Sequence, residues 1–177
     1  QAELLGEEWN EGSQDDVLPF RRVAPRDDQK YNTCVPLISL KAAAGSFGES
    51  QEVVPEAWVE IPGARRLGPG MFVAQVVGKS MQPTIPDGSW CLFKAPVEGS
   101  RSGRVVLVQH RQIHDPDAGG SFTVKRYQSE KAEKREGRWS HEVIRLLPDN
   151  PDYPEIKLDP EVEGSVAVVA EFIQVLN

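Results

Sequence analysis

Short apolar runs separated by turn-forming residues follow one another along most of this chain. Each run has the alternating or fully apolar pattern of a strand, and Gly, Pro, Asp and Asn lie between the runs. The runs occupy residues 34–40, 58–62, 71–77, 90–93, 104–109, 121–128, 141–146 and 166–175. No internal repeat stands out. The pattern predicts a mainly β domain.

The composition suits one domain with a tail. The chain has 177 residues, of which 39% are hydrophobic, and this is enough for a single core. Residues 1–33 are polar and begin with a run of acidic residues that precedes the first basic residue, Arg21. We therefore expect a tail or linker, with at most a short helix, over residues 1–33 and a folded domain over residues 34–177. Because the chain begins with Gln1, we expect it to be a piece or a processed product of a longer protein.

Charge, hydropathy and cysteine content argue against several classes of function. The net charge of -7 opposes a large nucleic-acid footprint, since such a surface needs a basic face to displace counterions from phosphates. No run of about 18 apolar residues occurs, so we expect no membrane span. Cys34 and Cys91 fit neither a metal-ligand nor a disulfide-framework spacing. We expect reduced, structural thiols and a cytoplasmic setting.

The motif GKSMQP places Ser80 just past a predicted strand end, and the motif TVKRY places Lys125 within another strand. A serine hydroxyl is too weakly acidic to attack an amide at neutral pH without an adjacent base. The sequence near Ser80 offers no convincing Asp/His pair, which leaves Lys125 as the candidate base. Together they have the layout of a Ser/Lys proteolytic dyad.

A lysine can act as a base near pH 7 only if it is held neutral. An ordinary lysine titrates near 10.4, so burial must lower its pKa by about three units. In a strand, Thr123, Lys125 and Tyr127 share one face, and Arg126 lies on the other. We therefore predict that Lys125 is buried and Arg126 exposed. Backbone N–H groups around Ser80 are the expected oxyanion donors.

Residues 34–176 resemble the C-terminal protease domain of LexA-type repressors, UmuD proteins and phage repressors, a peptidase family with a Ser/Lys dyad and a signal-peptidase-like fold. The similarity is carried by the Ser80-Met81 pair after a strand and glycine, by an Asp-Gly turn, and by the motifs RSGRVVLV, TVKRY and LLPDNPDY. It implies Ser80 and Lys125 as catalytic residues. It also implies an antiparallel β domain with an N-terminal tail.

The same resemblance points to a cleavage site. Self-cleaving members of the family cut an Ala-Gly bond at a similar distance upstream of the serine, which makes Ala44–Gly45 the predicted scissile bond. Small side chains would let an extended segment lie close to Ser80, and glycine leaves the backbone free to bend. The alternative is that residues 42–46 form only a flexible loop after a strand.

The sequence also departs from the family pattern. The loop over residues 110–120 is longer than in typical members, and the turn that often reads Asp-Gly-Asp is Asp87-Gly88-Ser89 here. No helix-turn-helix is recognisable in residues 1–32. Binding to DNA would therefore require a module outside this chain.

Two other motifs are discounted. Gly78-Lys79-Ser80 resembles the end of a phosphate-binding loop, but Val73 stands where that loop needs a glycine, and Pro83 argues against a following helix. His110 and His114 are four residues apart, but they lie in a strand end and a turn rather than in a helix. We expect no cofactor and no metal.

The leading hypothesis is a serine peptidase that cleaves its own chain as a switch in a DNA-damage or stress response. The resemblance implies a homodimer, with residues 165–175 as a possible pairing edge, and activation by a RecA filament. One alternative is a dimerisation module of a transcriptional regulator that does not cleave. Another is a peptidase acting on other proteins.

Overall fold

A computed structural model describes residues 17–46, 53–63, 66–133 and 140–177. These ranges contain ten strands and two short helices. In chain order the elements are β1 (Arg21–Val23), β2 (Val35–Leu37), α1 (Leu40–Ser46), β3 (Ala57–Glu60), β4 (Met71–Val76), β5 (Ser89–Lys94), β6 (Val105–Gln109), β7 (Phe122–Glu133), β8 (Ser140–Leu147), β9 (Ile156–Leu158), α2 (Pro160–Glu163) and β10 (Ala167–Val175). The mainly β prediction is confirmed.

All ten strands belong to one sheet, in the order β1-β3-β2-β4-β5-β10-β6-β7-β8-β9. Neighbouring strands are antiparallel except β2 and β4, which run parallel through Leu37 and Val73. None of the helices in the described ranges is long and apolar enough to cross a membrane.

Alternation along β4 and β5 places apolar side chains on both faces of the sheet. Phe72 and Phe93 lie on one face, where their rings stack at 5.5 Å and pack with residues of α1. Val73 and Leu92 lie on the other face, in a second cluster with β2 and β3. Because both faces are covered here, these strands are apolar at nearly every position.

The last strand lies inside the sheet. β10 pairs with β6 over Ala167 to Glu171 and with β5 over Glu171 to Val175. The expectation that this strand is an edge available for pairing in a dimer is therefore wrong. The two outer strands of the described sheet are β1 and β9.

The sheet begins upstream of the predicted domain boundary at residue 34. β1 pairs with β3, where Arg22 lies opposite Val59. Phe20 is buried, and its ring meets Trp90 edge to face at 5.1 Å. Part of the predicted tail thus belongs to the folded core, while residues 1–16 lie outside the described part of the chain.

The small-residue segment after β2 is a helix rather than the predicted loop. α1 begins after Ser39, whose Oγ accepts a hydrogen bond from the Ala42 N–H at 3.1 Å, as an N-cap does. Ala43 and Ala44 are buried against the sheet. Alanine is the strongest helix former, so a run of three favours this turn of helix once the sheet offers an apolar surface.

Candidate functional site

Ser80 and Lys125, separated by 45 residues in sequence, meet at the end of β4. The Lys125 Nζ lies 2.9 Å from the Ser80 Oγ. Lys125 is near the start of β7, where it pairs with Val106 of β6. Ser80 lies in the turn that follows β4, so two separate parts of the sheet bring the pair together.

Gly78 permits the chain to turn just before Ser80. Its φ is 110°, in the region that favours glycine, and its N–H donates to the Asp87 carboxylate at 2.7 Å. A Cβ at this position would lie 2.8 Å from the Asp117 Oδ2. The turn is therefore closely packed between the Asp87-Gly88 turn and the loop that precedes β7.

A second set of contacts holds the turn that carries Ser80. Met81 and Ile85 are buried in the core, and the Ile85 N–H donates to the Met81 carbonyl at 2.9 Å. Asn150 donates through its backbone N–H to the Ser80 carbonyl at 3.0 Å and through Nδ2 to the Lys79 carbonyl at 3.0 Å. These contacts fix the backbone on both sides of the Ser80 side chain.

Lys125 is 4% exposed, whereas Arg126 is partly exposed, so the predicted difference in their environments is confirmed. The Lys125 Nζ donates to Ser80 Oγ, to Thr123 Oγ1 at 2.7 Å and to the Val124 carbonyl at 3.2 Å. Burial lowers the pKa of the Lys125 amine below its ordinary value, and Asp115 and Asp117 oppose that shift. The lowered pKa favours the neutral amine that a base requires.

Arg126 joins the strand of Lys125 to the segment after β8. Its guanidinium donates to both oxygens of Asp149, at 2.9 and 2.8 Å. Asp149 also accepts a hydrogen bond from the Thr84 hydroxyl at 2.5 Å. Arg126 holds the pKa of the Asp149 carboxyl below its ordinary value. One carboxylate thus connects β7 with the turn that carries Ser80.

Two depressions meet at the dyad, and Ser80 and Lys125 line both of them. The first is bounded by the start of α1 at Ser39, Leu40 and Lys41. The second is bounded on its far side by His114 and by Tyr153, Pro154 and Ile156. A polypeptide crossing Ser80 could therefore place residues in a depression on either side.

The predicted scissile bond does not lie across the dyad in this structure. Ala44 and Gly45 are in α1, Ala44 is buried, and neither is among the residues that line the two depressions. The first turn of the same helix does line one of them. Of the site residues predicted from the sequence, Ser80 and Lys125 therefore lie side by side, whereas Ala44 and Gly45 lie in a neighbouring helix.

The histidine pair considered as a metal site is split between two environments. His110 is buried, and its Nδ1 accepts a hydrogen bond from the Gln112 N–H at 3.1 Å. His114 borders the second depression. Within the described ranges, no group of three or more His, Cys, Asp or Glu side chains is placed to hold a metal ion.

Sequence reasoning did not identify several residues that surround the dyad. Thr123 could have been found, because strand alternation places it on the same face as Lys125. Asn150 and Asp149 lie in the LLPDNPDY motif, which indicated the family but not their contacts. Asp115 comes from an irregular loop, whose path no sequence pattern specifies.

Comparisons with known proteins identify the family of the chain. The Peptidase S24-like family matches residues 36–173. The chain is 30% identical over 135 residues to the LexA repressors of Acidovorax sp. (strain JS42) and Acidovorax ebreus (strain TPSY), a match that covers 73% of this chain and 51% of each relative. It is 29% identical over 145 residues to the LexA repressor of Delftia acidovorans (strain DSM 14801 / SPH-1), covering 81% of this chain and 52% of that one.

The chain thus spans about half the length of the curated relatives it matches. The family match covers most of the described sheet, from β2 into β10, and includes both Ser80 and Lys125. On this match, the chain belongs to the Peptidase S24-like family.

Proposed function

We propose that this domain is a self-cleaving serine peptidase that hydrolyses its own Ala44–Gly45 bond, with Ser80 as nucleophile and Lys125 as general base. The observation that carries the proposal is the 2.9 Å contact between a buried lysine amine and a partly exposed serine hydroxyl. This distance allows direct proton transfer. Burial supplies the lowered pKa that the chemistry needs.

In the acylation step, the Ser80 hydroxyl gives its proton to neutral Lys125 as its oxygen attacks the Ala44 carbonyl carbon. The bond from that carbon to the Gly45 nitrogen then breaks, and the Lys125 ammonium returns the proton to the departing amine. An ester between Ser80 and Ala44 remains. A water molecule that loses a proton to Lys125 hydrolyses this ester, leaving a carboxyl group on Ala44 and a free Ser80 hydroxyl.

The helical state of residues 40–46 is the resting state in this proposal. A peptide bond inside a packed helix has no face open to a nucleophile, so the segment must unwind and cross the dyad in an extended form. The start of α1 already borders the depression beside Ser80 and Lys125, which makes the path short. A helix of seven residues has little intrinsic stability, so the cost of unwinding it is mainly the loss of its packing against the sheet.

The cellular role in this proposal is that of a regulatory switch. The curated relatives are LexA repressors, and they are about twice as long as the match. Cleavage at Ala44–Gly45 would break the covalent link between the N-terminal segment, which includes β1 and β2, and the strands from β3 onward. Two further properties extend the proposal by resemblance to the family. They are a homodimeric state and activation by a RecA filament.

A second candidate function is a dimerisation module of a transcriptional regulator that does not cleave. The burial of Ala44 in a packed helix favours this alternative, because the predicted bond is held away from the dyad. A third is cleavage of other proteins. It would leave Ala44–Gly45 intact while peptides that enter the two depressions are cut.

Product masses test the proposal. The wild-type chain should yield fragments 1–44 and 45–177 when incubated near pH 10, where lysine loses its proton, and the same fragments more slowly near pH 7. Ser80→Ala and Lys125→Met should yield neither. An intact wild-type chain under both conditions and with added RecA filaments would favour the non-cleaving module. Cleavage of an added peptide by a Gly45→Asp chain that stays intact would favour action on other proteins.

A further inference from the structure

The loop between β6 and β7 places a carboxylate beside the dyad. The Asp115 Oδ1 accepts hydrogen bonds from the backbone N–H groups of Asp117 at 3.1 Å and Ala118 at 3.3 Å, which fix its direction. The other oxygen, Oδ2, accepts a hydrogen bond from Thr123 Oγ1 at 2.7 Å and lies 3.6 Å from Lys125 Nζ. The Asp115 side chain is 17% exposed, so solvent screens this pair only weakly.

We propose that Asp115 is a positioning residue whose charge favours the ammonium form of Lys125 and which directs the amine toward Ser80 when the proton leaves. The effect on cleavage rests on the proposed peptidase function, whereas the contact between Asp115 and Lys125 does not. It adds to the dyad a counter-ion that restrains cleavage near pH 7.

The directing role follows from a count of protons. The Thr123 hydroxyl has one proton and donates it to Asp115, so toward Lys125 its oxygen can only accept. An ammonium has three protons, and the three acceptors around Nζ are Ser80, Thr123 and the Val124 carbonyl. After one proton is lost, Thr123 and Val124 retain the other two. The lone pair then faces the Ser80 hydroxyl.

The restraining role follows from the charges that face Lys125. Asp115 and Asp117 both come from the loop before β7, and both raise the pKa of the amine against the effect of burial. From the turn after β4 the amine meets only the neutral Ser80 hydroxyl, and from its own strand the Thr123 hydroxyl. His114 and Tyr153 border the second depression, and Lys41 borders the first. Among the described residues, Asp115 is the carboxylate in closest contact with the amine.

The variant Asp115→Asn tests both roles. It keeps the side-chain shape and an oxygen for the Asp117 and Ala118 N–H groups, but it removes the charge and the acceptor for Thr123. The cleavage rate near pH 7, divided by the rate on the alkaline plateau, should rise by about threefold or more, because a neighbouring opposite charge commonly shifts a pKa by a unit or more. The rate on the alkaline plateau should itself fall, because the Lys125 amine is no longer directed toward Ser80. This ratio separates charge from general damage to the fold.

The matched control is Asp27→Asn, which makes the same chemical change at a side chain that is 98% exposed and paired with Lys30. Its rate ratio should equal that of the wild type. A ratio in Asp115→Asn that is unchanged or lower than in the wild type would overturn the restraining role. A plateau rate equal to the wild-type value would overturn the directing role.

A readout independent of cleavage separates this inference from the proposed function. The NMR signal of the Lys125 Cε, followed against pH in the Ser80→Ala background and assigned with Lys125→Met, reports the protonation of the amine. Its midpoint should move to lower pH when Asp115→Asn is added. If the midpoint moves but the protein is not cleaved, the effect of Asp115 on Lys125 is supported and the proposed peptidase function is wrong. If cleavage proceeds but the midpoint stays, the inference is wrong.

Discussion

Arg126 and Asp149 form a two-point ion pair that connects the strand of Lys125 to the turn of Ser80. Arg126 donates to both carboxylate oxygens, and Asp149 also accepts from the Thr84 hydroxyl, four residues after Ser80. Lys125 and Arg126 are neighbours on opposite faces of β7, so one faces the dyad while the other anchors the surrounding loops. The Arg126–Asp149 pair thus supports the relative placement of Lys125 and Ser80 from outside the proposed catalytic pair.

Replacing Asp149 with asparagine should lower the free energy of unfolding by about 1–2 kcal/mol near pH 7. Exposed ion pairs contribute about 0–1 kcal/mol and breaking buried pairs costs about 3–5, and this pair lies between them because Arg126 is partly exposed while Asp149 is mostly buried. Urea unfolding measures the change. Glu155→Gln, which breaks the exposed pair with Arg145, is the matched control and should have a smaller effect.

The same pair should make stability depend on pH. Arg126 lowers the pKa of the folded Asp149 carboxyl below its ordinary value, so the pair stabilises the fold above that ordinary value and loses its contribution as pH falls through the folded pKa. The difference between wild type and Asp149→Asn should therefore shrink in acid. A difference that is constant from neutral pH into acid would contradict this assignment.

Burial of Lys125 should give a pH dependence of the same sign in the neutral to alkaline range. Its pKa is lower in the folded state than in the unfolded state, so the unfolded state binds more protons between the two values and stability rises with pH there. Unfolding experiments from neutral to alkaline pH should show wild type gaining stability relative to Lys125→Met. The comparison is needed because Cys91, whose pKa burial raises to about 12, changes stability in the reverse direction in both proteins.

The helix that contains the proposed scissile bond should control the cleavage rate. A Cβ added at Gly45 would meet no heavy atom within 4 Å, so Gly45→Ala should fit and should favour the helix by up to about 1 kcal/mol. Ser39→Ala removes the N-cap and should disfavour it by about 1 kcal/mol. We expect slower cleavage in the first variant and faster cleavage in the second. Equal rates in the two variants would indicate that α1 does not restrain the bond.

The two cysteines should be unreactive while the chain is folded. Cys34 and Cys91 are both free thiols and both fully buried, and burial raises the pKa of each. A thiol-specific chromogenic reagent should therefore label neither residue in the native protein and both after denaturation. Rapid labelling of either thiol under native conditions would show that the core around it opens.

Local patterns predicted eight of the ten strands in the described residues, and they predicted that Lys125 is more buried than Arg126, because strand alternation has a period of two residues. They did not predict the three-residue strands β1 and β9. The dyad required more than alternation. Ser80 and Lys125 are 45 residues apart, and only the combination of motifs indicated that they meet. The family match over residues 36–173 confirms the resemblance on which that prediction depended.

The errors arose where the outcome depends on distant parts of the chain. Residues 42–44 are small, which is compatible with a loop, but the apolar face of the sheet stabilises them as a helix. β10 has the pattern of any apolar strand, and only the order of the sheet places it between β5 and β6. The position of Asp115 depends on the path of a loop, which is set by turn contacts that the sequence does not specify.

The rate of self-cleavage, followed by intact mass across pH and across a wide range of protein concentrations, is the decisive measurement. We expect a single cut between Ala44 and Gly45 whose first-order rate rises with pH and does not depend on protein concentration. We expect no cut in Ser80→Ala or Lys125→Met. A cut at another bond, a rate that increases with concentration, or cleavage that survives the loss of Ser80 would contradict it.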